Sequence, residues 1–231
     1  KEDGTTAADP FDFGGGHLEP NLAVEPGLVY DTGASDFDAF LCGRGQARAG
    51  VDCTALETAG FASGSSDLNL PSIAVTELVN EQLVKRRVTN VGPAADFTAS
   101  VEAPTTIDVT VTPSVLSLAA GETSEFEVRL TTDGTTYDAW QFGALNWIST
   151  TATVRSPLAI RALRFAAPVL VSASGAGGTA DAALHVGYSG IYEARLSGLE
   201  ATGQSQPEDI RAQLTNSVLD DPSNEYLFVQ P

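Results

Sequence analysis

The histidines and cysteines of this 231-residue chain, the side chains best suited to move a proton near neutrality, attack a carbonyl or bind zinc, are few and scattered. Its two histidines are His17, directly after Gly14-Gly15-Gly16, and His185, between Leu184 and Val186. A base without a nucleophile in reach does not make a catalyst, so His17 reads as a packing or hydrogen-bonding residue that locks its loop. Cys42 and Cys53 are the only cysteines and form either a bridge or a pair of buried thiols. A bridge would close a loop of about 12 residues and restrict the unfolded chain by roughly 3 kcal/mol. A zinc site fails, because neither histidine lies at ligand spacing. Asp31-Thr32-Gly33 follows the apolar Leu28-Val29-Tyr30 and places a carboxylate in a turn. Two such carboxylates brought together share one proton, since neighbouring like charges do not both ionise. Asp220-Asp221-Pro222-Ser223-Asn224-Glu225 carries oxygens of the kind calcium takes, without the spacing of a recognised loop, and reads as an acidic turn. Lys85-Arg86-Arg87 is the only basic cluster; alternation sets Arg86 opposite its neighbours, and a solvated strand face is a stronger reading than a processing signal.

The elements that would position these groups begin with Pro10 to Gly33, PFDFGGGHLEPNLAVEPGLVYDTG. Three consecutive glycines let the backbone turn where a Cβ would clash. Pro20 and Pro26 forbid one long regular element, leaving room between them for a turn or two of helix with Pro20 in its first turn. Leu28, Val29 and Tyr30 are expected to be buried, and the segment as a whole to expose an apolar face unless another chain covers it. Lys1–Asp9 reads as a polar surface loop or frayed end. Ser35 or Asp36 is placed to cap a short helix carrying Phe37, Phe40 and Leu41 on one face. Residues 43–66 are small and rich in Gly and Ser, which marks a boundary between two units.

From Leu68 the apolar period becomes two. Ile73 and Val75 alternate, then less cleanly Leu83, Arg87 and Val91, then Phe97, Ala99 and Val101, Ile107, Val109 and Val111, and Phe126, Val128 and Leu130. Further strands are predicted near Phe142–Ile148 and Thr153–Ile160. Polar residues fill the intervening positions, as in half-buried antiparallel strands. Turn signals at Gly92-Pro93, Ala103-Pro104, Thr112-Pro113, Gly121-Glu122 and Asp133-Gly134 separate them. Seven or so strands over about 95 residues give a mainly β chain with an antiparallel β-sandwich. Trp147, Phe126 and Phe97 are its expected large core residues. After Ala166-Ala167-Pro168, the runs VLVSASG, ALHVGYSG and IYEARLSGL read as further short strands. These approximately 65 residues would make only a marginal core alone, so the tail is expected to pack on the sandwich or to be truncated at Pro231.

Composition narrows the function. Charged residues are only 18 % of the chain, yet the formal net charge is -18. Such a surface repels phosphate backbones and argues against nucleic acid and anionic membranes as partners. No apolar run approaches the ~20 residues a spanning helix needs. With no initiator methionine or signal-like opening, the expectation is a piece of something longer.

The run Phe11-Asp12-Phe13-Gly14-Gly15-Gly16-His17 through Leu28-Val29-Tyr30-Asp31, with Phe40-Leu41-Cys42 after it, closely resembles the end of the catalytic domain in plant-type, cucumisin-like subtilases. The resemblance continues through Leu68-Asn69-Leu70-Pro71-Ser72-Ile73, through Val84-Lys85-Arg86-Arg87-Val88-Thr89-Asn90-Val91-Gly92, and into FGALNW and VRSPLAI. Leu70 stands where the family has an aromatic residue, and Arg87 where a small residue or Thr is common. The family's fold here is fibronectin type III-like, which sharpens the sandwich to that type. Residues 1–66 then resemble the end of a peptidase domain, 67–163 the fibronectin III-like sandwich, and 164–231 an additional β-rich module, a weaker resemblance. The family carries a cysteine pair comparable to Cys42 and Cys53, and a bridge implies an oxidising, extracellular setting.

A subtilase needs Asp, His and Ser with an oxyanion-hole Asn. The family's serine motif is Gly-Thr-Ser-Met-Ala, and this chain has no methionine. Its catalytic His is followed by Gly, whereas Leu18 follows His17 and Val186 follows His185. The expected catalytic, cofactor-binding and metal residues are therefore none, and the triad is expected upstream. The resemblance implies a non-catalytic C-terminal region of a secreted serine endopeptidase. Its partners would be the rest of the catalytic domain and, through the parent, protein or peptide substrates. Two other readings are weighed. A free-standing adhesion or carbohydrate-binding sandwich would display Trp140 and Trp147 on one flat face. Asp31-Thr32-Gly33 resembles the catalytic loop of aspartic proteases, which with one copy per chain would require a homodimer. Pro26 lies where that loop's flanking strand should run, so Asp31 is more simply a cap or turn residue.

Overall fold

Strand alternation sets the architecture. In the computed structural model, which describes residues 4–166 and 185–187, eight strands follow the opening segment. They are β2 (Ile73–Leu78), β3 (Glu81–Asn90), β4 (Ala95–Glu102), β5 (Ile107–Thr112), β6 (Val115–Leu118), β7 (Thr123–Thr132), β8 (Trp140–Ile148) and β9 (Thr153–Ala162). Together with the two-residue β1 (Leu28–Val29) they form two sheets, ordered β1-β3-β7-β5 and β2-β9-β8-β4-β6. This is the mainly β sandwich that the period-two pattern dictates, of the fibronectin III-like type that the resemblance implies. One pairing departs from the antiparallel rule: β2 runs parallel to β9, with Ile73 opposite Leu158 and Val75 opposite Ile160.

Apolar side chains from both sheets meet between them. Trp147, Phe126 and Phe97 are buried as expected, with the Phe126 and Trp147 rings edge to face at 5.1 Å. Because Trp147 lies inside, the two tryptophans share no exposed face. β8 and β9 are buried in longer runs than alternation alone would give. Among their outward positions, Ala144 and Ala159 are small, Asn146 is covered by its hydrogen bond to Glu102 at 2.9 Å, and Trp140 and Phe142 lie beneath the Phe11 ring at 4.8 and 5.3 Å.

The register of β3 is opposite to the sequence expectation. Val84, Arg86, Val88 and Asn90 point inward, and Leu83 and Val91 are exposed. A one-residue slip exchanges the two faces of a strand, and here Val84 and Val88 win the interior. β6 is an addition: four residues between Pro113 and Gly121 that carry Leu116 and Leu118 into the core.

Ahead of the sandwich lie short helices, α1 (Pro10–Phe13), α2 (Pro20–Ala23), α3 (Ala34–Gly43) and α4 (Cys53–Thr58). Proline opens the first two, where its missing N–H costs nothing. Neither Ser35 nor Asp36 is the cap of α3. Gly33 occupies that position, and the Asp36 carboxylate reaches back from the first turn to accept its N–H at 2.8 Å. Asp52 caps α4 by accepting from the Ala55 N–H at 3.0 Å. α3 ends against the next segment so closely that a Cβ on Gly43 would lie 1.8 Å from the Ser63 carbonyl oxygen.

Past β9, β10 (Phe165–Ala166) pairs antiparallel with β11 (His185–Val186), which holds the exposed His185. The expected strands of the remaining tail and the acidic run Asp220–Glu225 lie outside the described residues. No helix among the described residues is long and apolar enough to cross a membrane.

Candidate functional site

Of the groups singled out in the sequence, Asp31 and the Lys85-Arg86-Arg87 cluster meet where the opening segment joins strand β3. That strand would otherwise present unpaired N–H and C=O groups along one edge, a liability in any sheet. Three different devices cover it in succession. The Asp67 carboxylate accepts the Lys85 N–H at 2.9 Å. Next, the side-chain amide of Asn69 acts as a substitute peptide: its oxygen accepts the Arg87 N–H at 2.7 Å and its nitrogen donates to the Arg87 carbonyl at 2.9 Å. Finally β1 pairs in register, Val29 opposite Thr89 and Leu28 opposite Asn90, and the Val91 N–H donates to the Gly27 carbonyl at 2.8 Å. Gly27 turns the chain into this pairing with φ +77, and a Cβ there would lie 2.7 Å from that of Ala152. Asn90 is buried and ties the adjoining loops, donating to the carbonyls of Pro93, Leu118 and Ala119 at 2.8–3.2 Å.

Arg86 corrects the expectation of a solvated basic face. It is 4 % exposed and its guanidinium is spent on carbonyl oxygens. Nε donates to Leu70 at 2.9 Å, Nη1 to Ser66 and Lys85 at 2.7 Å each, and Nη2 to Ser72 at 3.1 Å. Residues 66–72 form no sheet ladder, so their carbonyls need donors, and the rigid fork of an arginine supplies several at once. Burial pushes the Arg86 pKa down, offset in part by the charge of Asp67. The flanking basic residues do face outward. Lys85 lies 3.7 Å from Glu127, and Arg87 pairs with Asp36 at 3.2 Å while donating to the Asp31 carbonyl at 3.1 Å.

Asp31 therefore enters through its backbone. Its carbonyl takes donors from Asn69 at 3.2 Å and from Arg87, while its carboxylate is exposed. The neighbouring Thr32 hydroxyl donates to the Asn69 carbonyl. Tyr30 is packed against the core and its hydroxyl lies 2.6 Å from Ser156 Oγ. Burial raises the Tyr30 pKa, and the Ser156 hydrogen bond opposes that more weakly. The sign follows directly. The unfolded phenol ionises near 10.0 while the folded one stays protonated, so stability present below that pH is lost as pH rises from there through the folded pKa. Difference titration of tyrosinate absorbance between the wild type and Tyr30→Phe is expected to show a phenol ionising above free tyrosine. A Tyr30 that titrates with or below free tyrosine would contradict its burial.

Cys42 and Cys53 are joined as a disulfide from the end of α3 to the start of α4, with Cα atoms 5.7 Å apart. The loop they enclose is fastened a second time by Arg48, which donates to both carboxylate oxygens of Asp38 at 2.6 and 2.7 Å. Those hydrogen bonds hold the Asp38 pKa below the usual carboxylate range. The bridge lines a small open cleft with Ala39, Glu57 and Phe61. His17, expected to lock its loop, is instead exposed.

The first half of the opening segment is apolar and uncovered: Phe11, Phe13, Leu18, Leu22 and Val24 are all exposed, as is Phe37 on α3. Its second half is the reverse, with Leu28 only 3 % exposed and part of the sandwich core. One stretch thus binds the sandwich at one end and offers an apolar surface at the other. The partners Asp67, Asn69, Asn90 and Ser156 were not distinguishable in the sequence. For Asn69 the signal is a polar residue inside an otherwise apolar run, Leu68-Asn69-Leu70.

Residues 67–160 match the fibronectin type-III domain family. The chain is 37 % identical over 159 residues to the subtilisin-like protease SBT3.2 of Arabidopsis thaliana, covering 67 % of this chain and 22 % of that protein. It is 36 % identical over 162 residues to the subtilisin-like protease Glyma18g48580 of Glycine max, covering 68 % and 20 %. The chain spans about a fifth of the length of these curated relatives. Among solved structures it overlaps the Pseudomonas aeruginosa CupB2 chaperone with a TM-score of 0.33 at 17 % identity, over 40 % of this chain and 53 % of that one.

Proposed function

Because the chain belongs with the C-terminal region of the plant-type subtilisin-like protease family, we propose that it is a non-catalytic part of such an enzyme which steadies the catalytic domain. In this reading residues 1–66 complete the peptidase domain, 67–163 are the fibronectin III-like sandwich and 164–231 are an additional β-rich module. The parent is a secreted serine endopeptidase whose Asp/His/Ser groups lie upstream of this chain. Its partners are the remainder of the catalytic domain and, through it, protein or peptide substrates, whose access the sandwich helps to shape. The Cys42–Cys53 bridge suits an oxidising compartment.

The observation that carries this reading is the divided character of Pro10–Tyr30. Leu28 is inserted in the sandwich core while Phe13, Leu18, Leu22 and Val24 stand in solvent. A concentration of exposed apolar side chains marks a contact site. A segment anchored at one end and sticky at the other is suited to joining the sandwich to a larger body. Treatment of the isolated chain with a fluorophosphonate probe, alongside a peptide-hydrolysis assay, is expected to give neither a labelled serine nor turnover. Covalent labelling of any serine here would sink the proposal.

A further inference from the structure

Gly27–Tyr30 lies on the sandwich as a bound peptide lies on a sheet edge. We propose that the edge of β3 is a strand-acceptor site for an extended Gly-Leu-Val-Tyr segment, which it grips without needing chain continuity. Sheet-edge recognition combines main-chain hydrogen bonds for affinity with pockets for alternate side chains for specificity, and both are present. The main-chain part is the pairing of Leu28 with Asn90 and Val29 with Thr89, extended by the Val91 N–H on the Gly27 carbonyl at 2.8 Å. The pocket part is Leu28, buried with Val88, Phe97 and the rest of the core, while Tyr30 reaches Ser156 at 2.6 Å. Specificity at the entry comes from Gly27, whose position leaves no room for a Cβ beside Ala152. Beyond Tyr30, the Asn69 amide takes the Asp31 carbonyl at 3.2 Å.

What flanks this segment is held at fewer points, chiefly the Phe11 ring against Trp140 and Phe142 at 4.8 and 5.3 Å and the Arg87–Asp36 pair at 3.2 Å. Residues 11–25 are exposed throughout, α3 buries only Ala39, and α4 buries nothing. Residues 43–50 of the following loop are exposed as well. The grip on the opening segment is thus concentrated at the acceptor edge. A cut in that exposed loop would leave a two-chain molecule, with the disulfide and the inserted strand as its fastenings. This inference stands independently of the protease reading, since it concerns only how the sandwich holds residues 27–32.

The test uses the full chain with a site-specific protease recognition sequence placed between Gly45 and Gly50. After cutting, and after reduction of the Cys42–Cys53 bridge, the two fragments are expected to co-elute in gel filtration at micromolar concentration. Leu28→Ala should speed their separation about 50-fold or more, the scale that follows from emptying a buried leucine site. Phe37→Ala, on the same fragment but exposed, should leave the separation rate unchanged. Thermal melting of uncut Leu28→Ala, followed by tryptophan fluorescence, verifies that its sandwich is folded. Separation of the wild-type fragments upon cutting and reduction would overturn the proposal. So would a Leu28→Ala protein that holds its fragment as long as the wild type, or a Phe37→Ala protein that releases it equally fast.

Discussion

Replacing Arg86 by alanine is expected to cost the folded state about 3–5 kcal/mol, the range seen when one side of a buried charged network is removed. The guanidinium donates to the carbonyls of Ser66, Lys85, Leu70 and Ser72, and alanine would leave those oxygens without it. Each buried polar group stripped of its partner costs about 1–3 kcal/mol, and water entering the vacated space recovers part of the total. The cation carries its own desolvation penalty, visible as the lowered pKa. Arginine does not deprotonate in proteins, so that penalty is constant at every working pH and the loss should be independent of pH near neutrality. Arg86→Lys is expected to recover only part of the stability, because a compact ammonium has three donors and cannot span oxygens placed for a planar fork. Urea denaturation of the three proteins checks this. A loss below about 1 kcal/mol in Arg86→Ala would show that solvent satisfies residues 66–72 as well as the guanidinium does.

That same residue shows where sequence reasoning reached its limit. Strands whose apolar residues alternate without competition, such as Ile107-Val109-Val111 and Phe126-Val128-Leu130, were legible because both the period and the burial cost point the same way. In β3 the two faces carry Val84, Arg86 and Val88 against Leu83, Lys85 and Arg87. Either register turns a cation inward, Arg86 on the first face or Lys85 and Arg87 on the second, so the alternation is not clean and following Leu83 and Val91 leads to the wrong register. The deciding term is a set of carbonyls in a segment without ladder partners, and nothing in its sequence announces that they will need a cation. Asn69 was invisible for a related reason: an amide that imitates a peptide group looks like any other loop asparagine until its partner strand is placed beside it. β6 was overlooked because four residues between a proline and a glycine give too short a run for periodicity to register. The divided opening segment, in contrast, was readable. Its prolines and glycines ruled out regular structure while its aromatic and aliphatic residues demanded a partner, and only the Leu28–Tyr30 end is buried in the sandwich core, Phe11 lying on its outer face.

Trp147→Ala should be comparably severe, at about 3–5 kcal/mol, against a total that for ordinary domains is about 5–15 kcal/mol. The side chain is 0 % exposed, packs edge to face on Phe126 at 5.1 Å and sits where the two sheets meet. A cavity of indole size cannot be refilled without moving both. Trp147→Phe separates two contributions that the alanine variant merges. The indole Nε1 is buried with no hydrogen-bond partner among the described residues, so the wild type already carries an unmet donor costing about 1–3 kcal/mol. Phenylalanine keeps most of the packing, leaves a smaller void and deletes that donor. Its net cost is therefore expected to stay below about 2 kcal/mol, since the lost volume and the removed N–H act in opposite directions. Chemical denaturation read by the remaining Trp140 distinguishes the outcomes. If Trp147→Phe proved as damaging as Trp147→Ala, the N–H would have to be engaged in the folded protein, and the core would depend on a polar contact as well as on shape.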